Sequence, residues 1–187
     1  MKTISIKEKQ NKAFGALKEI LGLKNVMQTP KVTKIDINVG IGSLKDKTKI
    51  EMIQDRITKI AGQKPSLKGA KKSIAAFKVR EGDPVGLHVT LRGQRMFDFL
   101  DKLVYVAFPR TKDFRGISTN GIDQMGNYSI GIKENTIFPE TSDEELKNVF
   151  GLAVVVGTNA KTKDRAKALL TYLGFPLKKV EETKKKK

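Results

Sequence analysis

The chain has 187 residues, enough for one compact domain with a buried core. Its 37 Lys and Arg outnumber 20 Asp and Glu, a formal charge of +17, which predicts a polyanionic partner such as nucleic acid unless the protein is merely basic. The absence of Cys excludes disulfides and thiolate catalysis, and the lack of an apolar leader or of any apolar run near about 20 residues predicts a cytoplasmic protein that does not span a membrane.

The first helix and the first strand are predicted from two different periods of apolar residues. Apolar residues at helical spacing precede Gly22, which has the position of a helix C-terminal cap. They are Ile6, Phe14, Leu17, Ile20 and Leu21. From Thr33 onward, apolar and polar residues alternate strictly, which predicts a half-exposed strand. Its inward positions are Ile35, Ile37, Val39 and Ile41, and its outward positions are Lys34, Asp36, Asn38 and Gly40.

A second helix and a basic loop follow. Residues 47–61 return to the helical period, and Gly62 ends the helix. Residues 63–86 are rich in Gly, Pro and Lys, and within them residues 75–79 are predicted as a short strand. From Lys64 onward the loop carries basic residues and no acid until position 81, which predicts a phosphate-binding loop; a solvated, mobile loop is the alternative. These basic residues are Lys64, Lys68, Lys71, Lys72, Lys78 and Arg80.

Further strands and helices alternate in the second half. Residues 87–93 predict a strand with Leu87, Val89 and Leu91 inward and His88, Thr90 and Arg92 outward. A continuous helix is predicted over residues 94–108, where Pro109 ends it. The remaining predicted elements are strands at 128–132 and 152–156, and a helix at 161–173 capped by Thr158 or Asn159.

This element order predicts an α+β fold. Alternating strands favour a two-layer sandwich with a mostly antiparallel or mixed sheet, helices on one face, an open polar face and a protruding basic loop. We expect one RNA-binding domain over residues 1–180, followed by a basic tail at 181–187. The strand order does not follow from the pattern.

The outward strand residues and one loop are candidate contacts for RNA. Amides, hydroxyls and cations on two strands are the groups that bind phosphates, 2′-hydroxyls and base edges, although an ordinary solvated face also needs polar residues. The face has no aromatic residue, so base stacking is not predicted there. In residues 109–116, Arg110, Lys112 and Arg115 surround Phe114, which either stacks on a partner or anchors the loop.

Catalysis is not indicated. The single histidine, His88, lies in a strand pattern without a Cys nucleophile or a serine elbow, and GIGSLK at 40–45 lacks the third Gly of a dinucleotide fingerprint. We therefore expect a non-enzymatic protein without a metal or cofactor.

Four segments resemble a known family. VMQTPKVTKIDINVGIG, GQKPSLKGAKKSIAAFKVREGDPVGLHVTLRG, PRTKDFRGIS and GNYSIGIKENTIFPE are similar to the bacterial large-subunit ribosomal protein five family, the 5S rRNA-binding protein of the central protuberance. The resemblance extends from about residue 26 to residue 176 and covers nearly the whole chain. It implies a structural constituent of the large ribosomal subunit, present as a monomer, with 5S and 23S rRNA as partners.

The resemblance also implies roles for particular residues. The sheet face contacts 5S rRNA, with the family's polar positions at Asn38, Gln63 and Thr90, and we add Lys34, His88 and Arg92. The basic loop, residues 67–83, reaches the elbow of peptidyl-site tRNA through Lys68, Lys71, Lys72, Ser73, Lys78 and Arg80. Arg110, Lys112 and Arg115 form a bridge to small-subunit ribosomal protein thirteen. A non-specific RNA-binding protein or RNA chaperone is the alternative.

Overall fold

A computed structural model describes residues 4–44, 46–112, 114–141 and 149–178. The helices in these ranges are α1 (Ile6–Leu21), α2 (Lys47–Ala61), α3 (Gly93–Lys102) and α4 (Lys163–Leu173). The strands are β1 (Val32–Gly40), β2 (Ser66–Gly69), β3 (Pro84–Leu91), β4 (Tyr128–Ile132) and β5 (Leu152–Thr158). The α+β class is confirmed, whereas the predicted basic tail lies outside the described residues.

The five strands form one sheet in the order β2-β3-β1-β5-β4. All neighbouring pairs in this sheet are antiparallel. β1 is central: Asn38 pairs with His88 of β3 on one side and with Ala153 of β5 on the other. Side chains at paired positions lie on the same face of the sheet, so this register decides which outward residues become neighbours.

The helices cover one face of the sheet. Inward residues such as Ile35 of β1 and Leu91 of β3 have no exposed surface, and the outward residues between them are partly exposed. α3 packs against β1 and α2 against β3, while α1 contacts α3 and α4. Burial of each large aliphatic side chain contributes roughly 1.5–3 kcal/mol. The predicted two-layer arrangement, with one covered and one open sheet face, is therefore present.

A carboxylate of α3 binds the start of the N-terminal helix. Asp101 accepts hydrogen bonds from the Ser5 hydroxyl at 2.8 Å and from the Ile6 backbone N–H at 2.8 Å, so it satisfies donors at the start of α1. The predicted apolar stripe of α1 is partly wrong, because Ile20 is 70% exposed and Ala13 occupies the buried face instead.

The helix predicted over residues 94–108 changes its hydrogen bonding in the middle. After α3, residues Leu103–Ala107 form a π-helical turn, in which Phe108 N–H donates to the Leu103 carbonyl at 3.0 Å. The wider turn keeps Val104 and Phe108 buried and leaves Val106 exposed. Side-chain periodicity alone does not distinguish this turn from an α-helix, because the apolar positions are nearly the same.

The strand predicted at residues 75–79 is wrong. Ala75–Phe77 form a single 3₁₀ turn, and only Ile74 and Val79 pair across it. The pairing strand is β2, which the residue pattern does not predict because all four of its residues are exposed and carry no apolar alternation. β2 is an edge strand, and strands at an edge are under weaker pressure to bury a face.

The predicted start of the last helix is also wrong. Thr158 is the final residue of β5, and the Asn159 side chain accepts from the Lys31 backbone N–H at 2.6 Å. The cap is Thr162, whose hydroxyl accepts from Arg165 N–H. All three candidates are Thr or Asn, so residue preference does not discriminate among them.

Candidate nucleic-acid interface

The register brings the predicted outward residues of β1 and β3 together on the open face. Asn38 is opposite His88, and Asp36 is opposite Thr90. Lys34 lies two residues before Asp36, on the same face of β1. Ser66 of β2 pairs with His88 and so adds a third strand to the Asn38–His88 row. We call Lys34, Asp36, Asn38, His88 and Thr90 the polar face.

Hydrogen bonds join the whole polar face. Thr90 donates from its hydroxyl to Asp36 Oδ1 at 2.6 Å, and the Thr90 hydroxyl oxygen lies 3.0 Å from His88 Nε2. His88 Nδ1 is 2.7 Å from Asn38 Oδ1. At the other end, Lys34 Nζ lies 2.7 Å from Asp36 Oδ2. These contacts hold each side chain in one position before any partner binds, which lowers the entropic cost of recognition.

The two ring nitrogens of His88 connect the network to both of its neighbours. Nε2 faces the Thr90 hydroxyl, and Nδ1 faces Asn38 Oδ1. Because an amide oxygen only accepts, a hydrogen bond between His88 and Asn38 requires the proton on Nδ1. That contact uses the carbonyl of Asn38 and not its N–H₂ group, which is the group that Asn38 can offer to a partner.

Asp36 stays ionised although it is largely covered. Burial raises the pKa of its carboxyl, but hydrogen bonds from Lys34 and Thr90 and the positive charges nearby outweigh burial, so the pKa lies below its ordinary value. An ionised carboxylate on an RNA-binding face repels phosphates unless a cation accompanies it. Lys34, whose side chain is 42% exposed, supplies that cation.

The two remaining predicted rRNA-binding residues lie at the border of the polar face. Ser66 pairs with His88 in antiparallel register, so the chain before Ser66 runs toward the Thr90 end of β3. Gln63 lies in that segment, where its side chain accepts from Arg95 at 3.5 Å. Arg92 is one residue beyond β3, at the cap of α3, and is exposed. Neither residue has a described hydrogen bond to the polar face.

Most of the rest of the open face is nearly bare. Across β5 and β4 the outward positions are Ser129, Gly131, Ala153 and Val155, whereas Gly157 is buried beneath the Lys34 side chain. A Cβ atom added at Gly131 would meet nothing within 4 Å. None of the outward residues described on these strands is aromatic. Backbone that is this accessible admits the close approach of a large rigid partner.

The basic loop is an ordered hairpin extension between β2 and β3. Ala70 and Gly82 are joined by one backbone bond of 3.0 Å, and Ala70 also donates to Asp83 at 2.8 Å. Ser73, predicted to contact tRNA, accepts from the Glu81 N–H at 2.9 Å and so also supports the loop.

The predicted tRNA-binding cations divide between β2 and this loop. Lys68 belongs to β2, opposite Gly86. Lys71, Lys72, Lys78 and Arg80 lie in the loop. All five are exposed, and within the described part of the chain none of their side chains has an ion pair, so all are available to phosphates.

A feature of the loop that sequence analysis missed is its exposed apolar surface. Phe77 is 75% exposed and Ile74 is 47% exposed. The strand predicted at 75–79 included Phe77, so the exposure of its side chain was not expected. The signal in the sequence is a Phe next to Lys78 in a segment that is otherwise basic, which could have identified Phe77 as an exposed aromatic residue.

The third predicted cluster surrounds a cavity at the β4 edge of the sheet, beyond β5 from the polar face. Phe114 stacks on Phe108, with ring centroids 5.9 Å apart and planes 9° from parallel, so Phe114 anchors its loop. Arg110, Lys112 and Arg115 are exposed around it. Arg110 and Lys112 line a cavity of about 420 Å³ that reaches Gly131 and Lys133 at the edge strand β4. The structure thus separates this cluster from the polar face.

Two further observations concern sites of other kinds. Within the described ranges, no group of three or more His, Asp or Glu side chains could hold a metal ion. None of the helices described has both the length and the apolarity that crossing a membrane requires.

Comparison with known proteins gives one family. Residues 25–80 match the model described as Ribosomal protein L5, and residues 84–177 match the model for the C-terminus of the same ribosomal family. The large ribosomal subunit protein uL5 of Thermoanaerobacter sp. (strain X514) is 48% identical over 93% of this chain and 98% of its own length. That of Desulfotalea psychrophila is 49% identical over 90% and 95%, and that of Cupriavidus metallidurans 49% over 87% and 91%. The chain therefore belongs to the ribosomal protein L5 (uL5) family, whose members are structural, non-enzymatic proteins of the large ribosomal subunit.

Proposed function

We propose that this protein is a structural constituent of the large ribosomal subunit that binds 5S rRNA on its open sheet face and anchors it in the central protuberance. The observation that supports the proposal most is the polar face, where five side chains from two strands are joined by hydrogen bonds and presented on an uncovered sheet. The family relationship supplies the assembly, since the relatives are large-subunit proteins.

The polar face supplies directional recognition. Asn38 and Thr90 offer amide and hydroxyl groups, and Lys34 offers a cation, at fixed positions. Such groups bind 2′-hydroxyls, phosphates and base edges across the wide minor groove of an RNA helix. The bare half of the face, over β4 and β5, leaves room for the backbone of that helix. Gln63 and Arg92 extend the contact at the border of the face.

The basic loop and the Arg110 cluster take separate partners in this proposal. The loop contacts the elbow of peptidyl-site tRNA, because its cations project from the sheet edge and have no acidic partner in the described structure. Arg110, Lys112 and Arg115 contact small-subunit ribosomal protein thirteen across the subunit interface, and 23S rRNA is a further partner of the positively charged surface. The net charge of +17 supports binding to RNA of any sequence as well.

Competition binding tests the central claim. Radiolabelled 5S rRNA is bound to the full-length protein at fixed salt, and unlabelled 5S rRNA or an unrelated RNA of equal length is added. We expect 5S rRNA to compete at far lower concentration, because only the polar face reads a particular RNA shape. Equal competition by both RNAs would instead favour the alternative function, a non-specific RNA-binding protein or chaperone.

Association with the subunit is tested separately. The protein should remain with isolated large subunits through a high-salt wash, because hydrogen bonds of the polar face are less sensitive to salt than contacts between lysines and phosphates. Release of the protein together with loosely bound basic factors would contradict a structural role.

A further inference from the structure

Phe77 is the one exposed aromatic side chain of the protein. It is 75% exposed, whereas every other Phe and Tyr lies within the described residues and is at least partly buried. Isolated apolar residues on a surface are common, but a Phe at this exposure in a charged loop lacks a role in the fold. Neither the core nor any of the ring contacts among the described residues includes it.

The loop backbone is built to hold Phe77 outward. Phe77 N–H donates to Ile74 at 3.3 Å and Lys78 N–H to Ala75 at 3.0 Å, which closes the turn, and Ile74 and Val79 are bonded to each other on both sides. Lys78 has φ 52°, the single described non-glycine residue with positive φ. This left-handed conformation is strained for a residue with a side chain. Strain of this kind is retained where the surrounding contacts impose it, and it concentrates at binding sites.

The surroundings of the ring combine apolar surface with positive charge. Phe77, Ile74 and Val79 line a shallow recess of about 510 Å³, whose rim includes Lys71 and Lys72. Lys78 follows Phe77 directly, and no acid lies between positions 64 and 80. A membrane surface or an acidic protein would also meet cations, but Ile74 and Phe77 alone are too small an apolar face for stable membrane binding. A flat ring beside cations fits a nucleotide, because the ring can stack on the base while the cations bind the phosphate.

We propose that Phe77 is a stacking platform for an exposed nucleobase of the RNA that the basic loop binds, with Lys71, Lys72 and Lys78 holding the flanking phosphates. The inference rests on the proposed role of the loop in contacting tRNA and adds the group that recognises the RNA surface. Stacking has little sequence preference, because every base has a π face. That property suits a contact made with every tRNA that occupies the site.

A tryptophan reporter tests the stacking directly. The protein has no Trp, so Phe77→Trp introduces a single indole whose emission is quenched when a base stacks on it. The full-length variant is titrated with a tRNA transcript at low salt. Met125→Trp places the indole at an equally exposed position, 71% exposed, far along the chain from the loop. We expect saturable quenching for Phe77→Trp and none for Met125→Trp. Equal quenching in both variants, or none in either, would overturn the proposal.

A matched pair of substitutions separates stacking from electrostatics. Phe77→Leu keeps an apolar side chain without a ring face and should weaken tRNA retention by assembled ribosomes about 5- to 150-fold, whereas Phe77→Tyr should retain it. Neither variant should change the melting temperature or 5S rRNA affinity, since Phe77 is outside the core. If Lys71→Ala/Lys72→Ala weakens tRNA retention and Phe77→Leu does not, the loop contacts tRNA without stacking and this inference is wrong. If neither variant affects tRNA, the proposed role of the loop itself fails.

Discussion

The polar face and the basic loop both present cations to solvent, but they are organised in opposite ways. On the polar face each charged group has a partner: Asp36 contacts Lys34 and Thr90, and His88 contacts Asn38. In the loop, the backbone is bonded within itself and the cationic side chains are left without ion pairs in the described structure. Side chains held by partners recognise the shape of an RNA, whereas cations without ion pairs attract any phosphate backbone. We therefore expect the face to discriminate between RNAs and the loop to bind them with little discrimination.

The largest expected effect is that of Thr90→Val, which keeps the shape of the side chain and removes its hydroxyl. Asp36 loses a donor and His88 Nε2 loses its hydroxyl partner, so the network breaks at its centre. We expect 5S rRNA affinity to fall by about 1–3 kcal/mol, measured by filter binding. Thr171→Val is the matched control: its hydroxyl bonds Lys167 on the exposed surface of α4, and its removal should leave 5S affinity unchanged. Wild-type affinity for Thr90→Val would remove the polar face from the proposal.

Asn38→Ala should have a smaller effect, because it removes one end of the network and leaves the Thr90–Asp36–Lys34 part intact. The expected loss of 5S rRNA affinity is about 0.5–1.5 kcal/mol. Asn11→Ala on the exposed side of α1 serves as the control. A loss larger than that of Thr90→Val would show that the amide, rather than the hydroxyl, is the principal contact.

Lys71→Ala/Lys72→Ala tests the loop side of the comparison. Retention of tRNA by assembled ribosomes should weaken by roughly 0.2–1 kcal/mol per lysine, as for exposed ion pairs, with little change in 5S affinity. The dependence of tRNA binding on salt should become shallower, because fewer counterions are released. Lys163→Ala/Lys167→Ala removes the same charge from α4 and controls for net charge. Equal loss of 5S binding by the loop variant would show that the two surfaces are not distinct.

The smallest expected effect is the pH dependence contributed by Asp36. Its pKa in the folded protein lies below the ordinary value of 3.8. Ionised Asp36 therefore stabilises the fold above that value, and this contribution is lost as the pH falls through the folded-state pKa. Urea unfolding of wild type and Asp36→Asn should give a constant difference in unfolding free energy near neutral pH that shrinks under acidic conditions. A difference that grows on acidification would contradict the assignment.

Residue patterns predict most of the polar face but not its connections. Period-two alternation places Lys34, Asn38, His88 and Thr90 on outward positions, and the structure confirms this, because one buried face forces the other outward. The strand order does not follow from the pattern, since pairing of β1 with β3 and β5 depends on contacts between distant segments. The hydrogen bonds therefore become visible only with the register.

For the basic loop, the residue pattern predicts the charge but not the conformation. Its charge is evident from composition, yet its predicted conformation is wrong, because β2 is fully exposed and the turn at Ala75–Phe77 depends on backbone bonds to Val79 and on the conformation of Lys78. The strand predicted at 75–79 includes Phe77. Its exposure follows from the turn, which no periodicity encodes.

The sheet order has a consequence for how the two family segments relate to each other. β1 and β2 belong to the segment at residues 25–80, and β3 to β5 belong to the segment at 84–177, yet β3 lies between β2 and β1. The strands of the two segments are therefore interleaved in the sheet. A fragment ending near residue 80 would hold two strands that are not neighbours, so neither could complete its hydrogen bonds. β1 belongs to the first segment, and both of its neighbours, β3 and β5, belong to the second. A substitution that alters the pairing of β1 in one segment therefore requires a compensating substitution in the other.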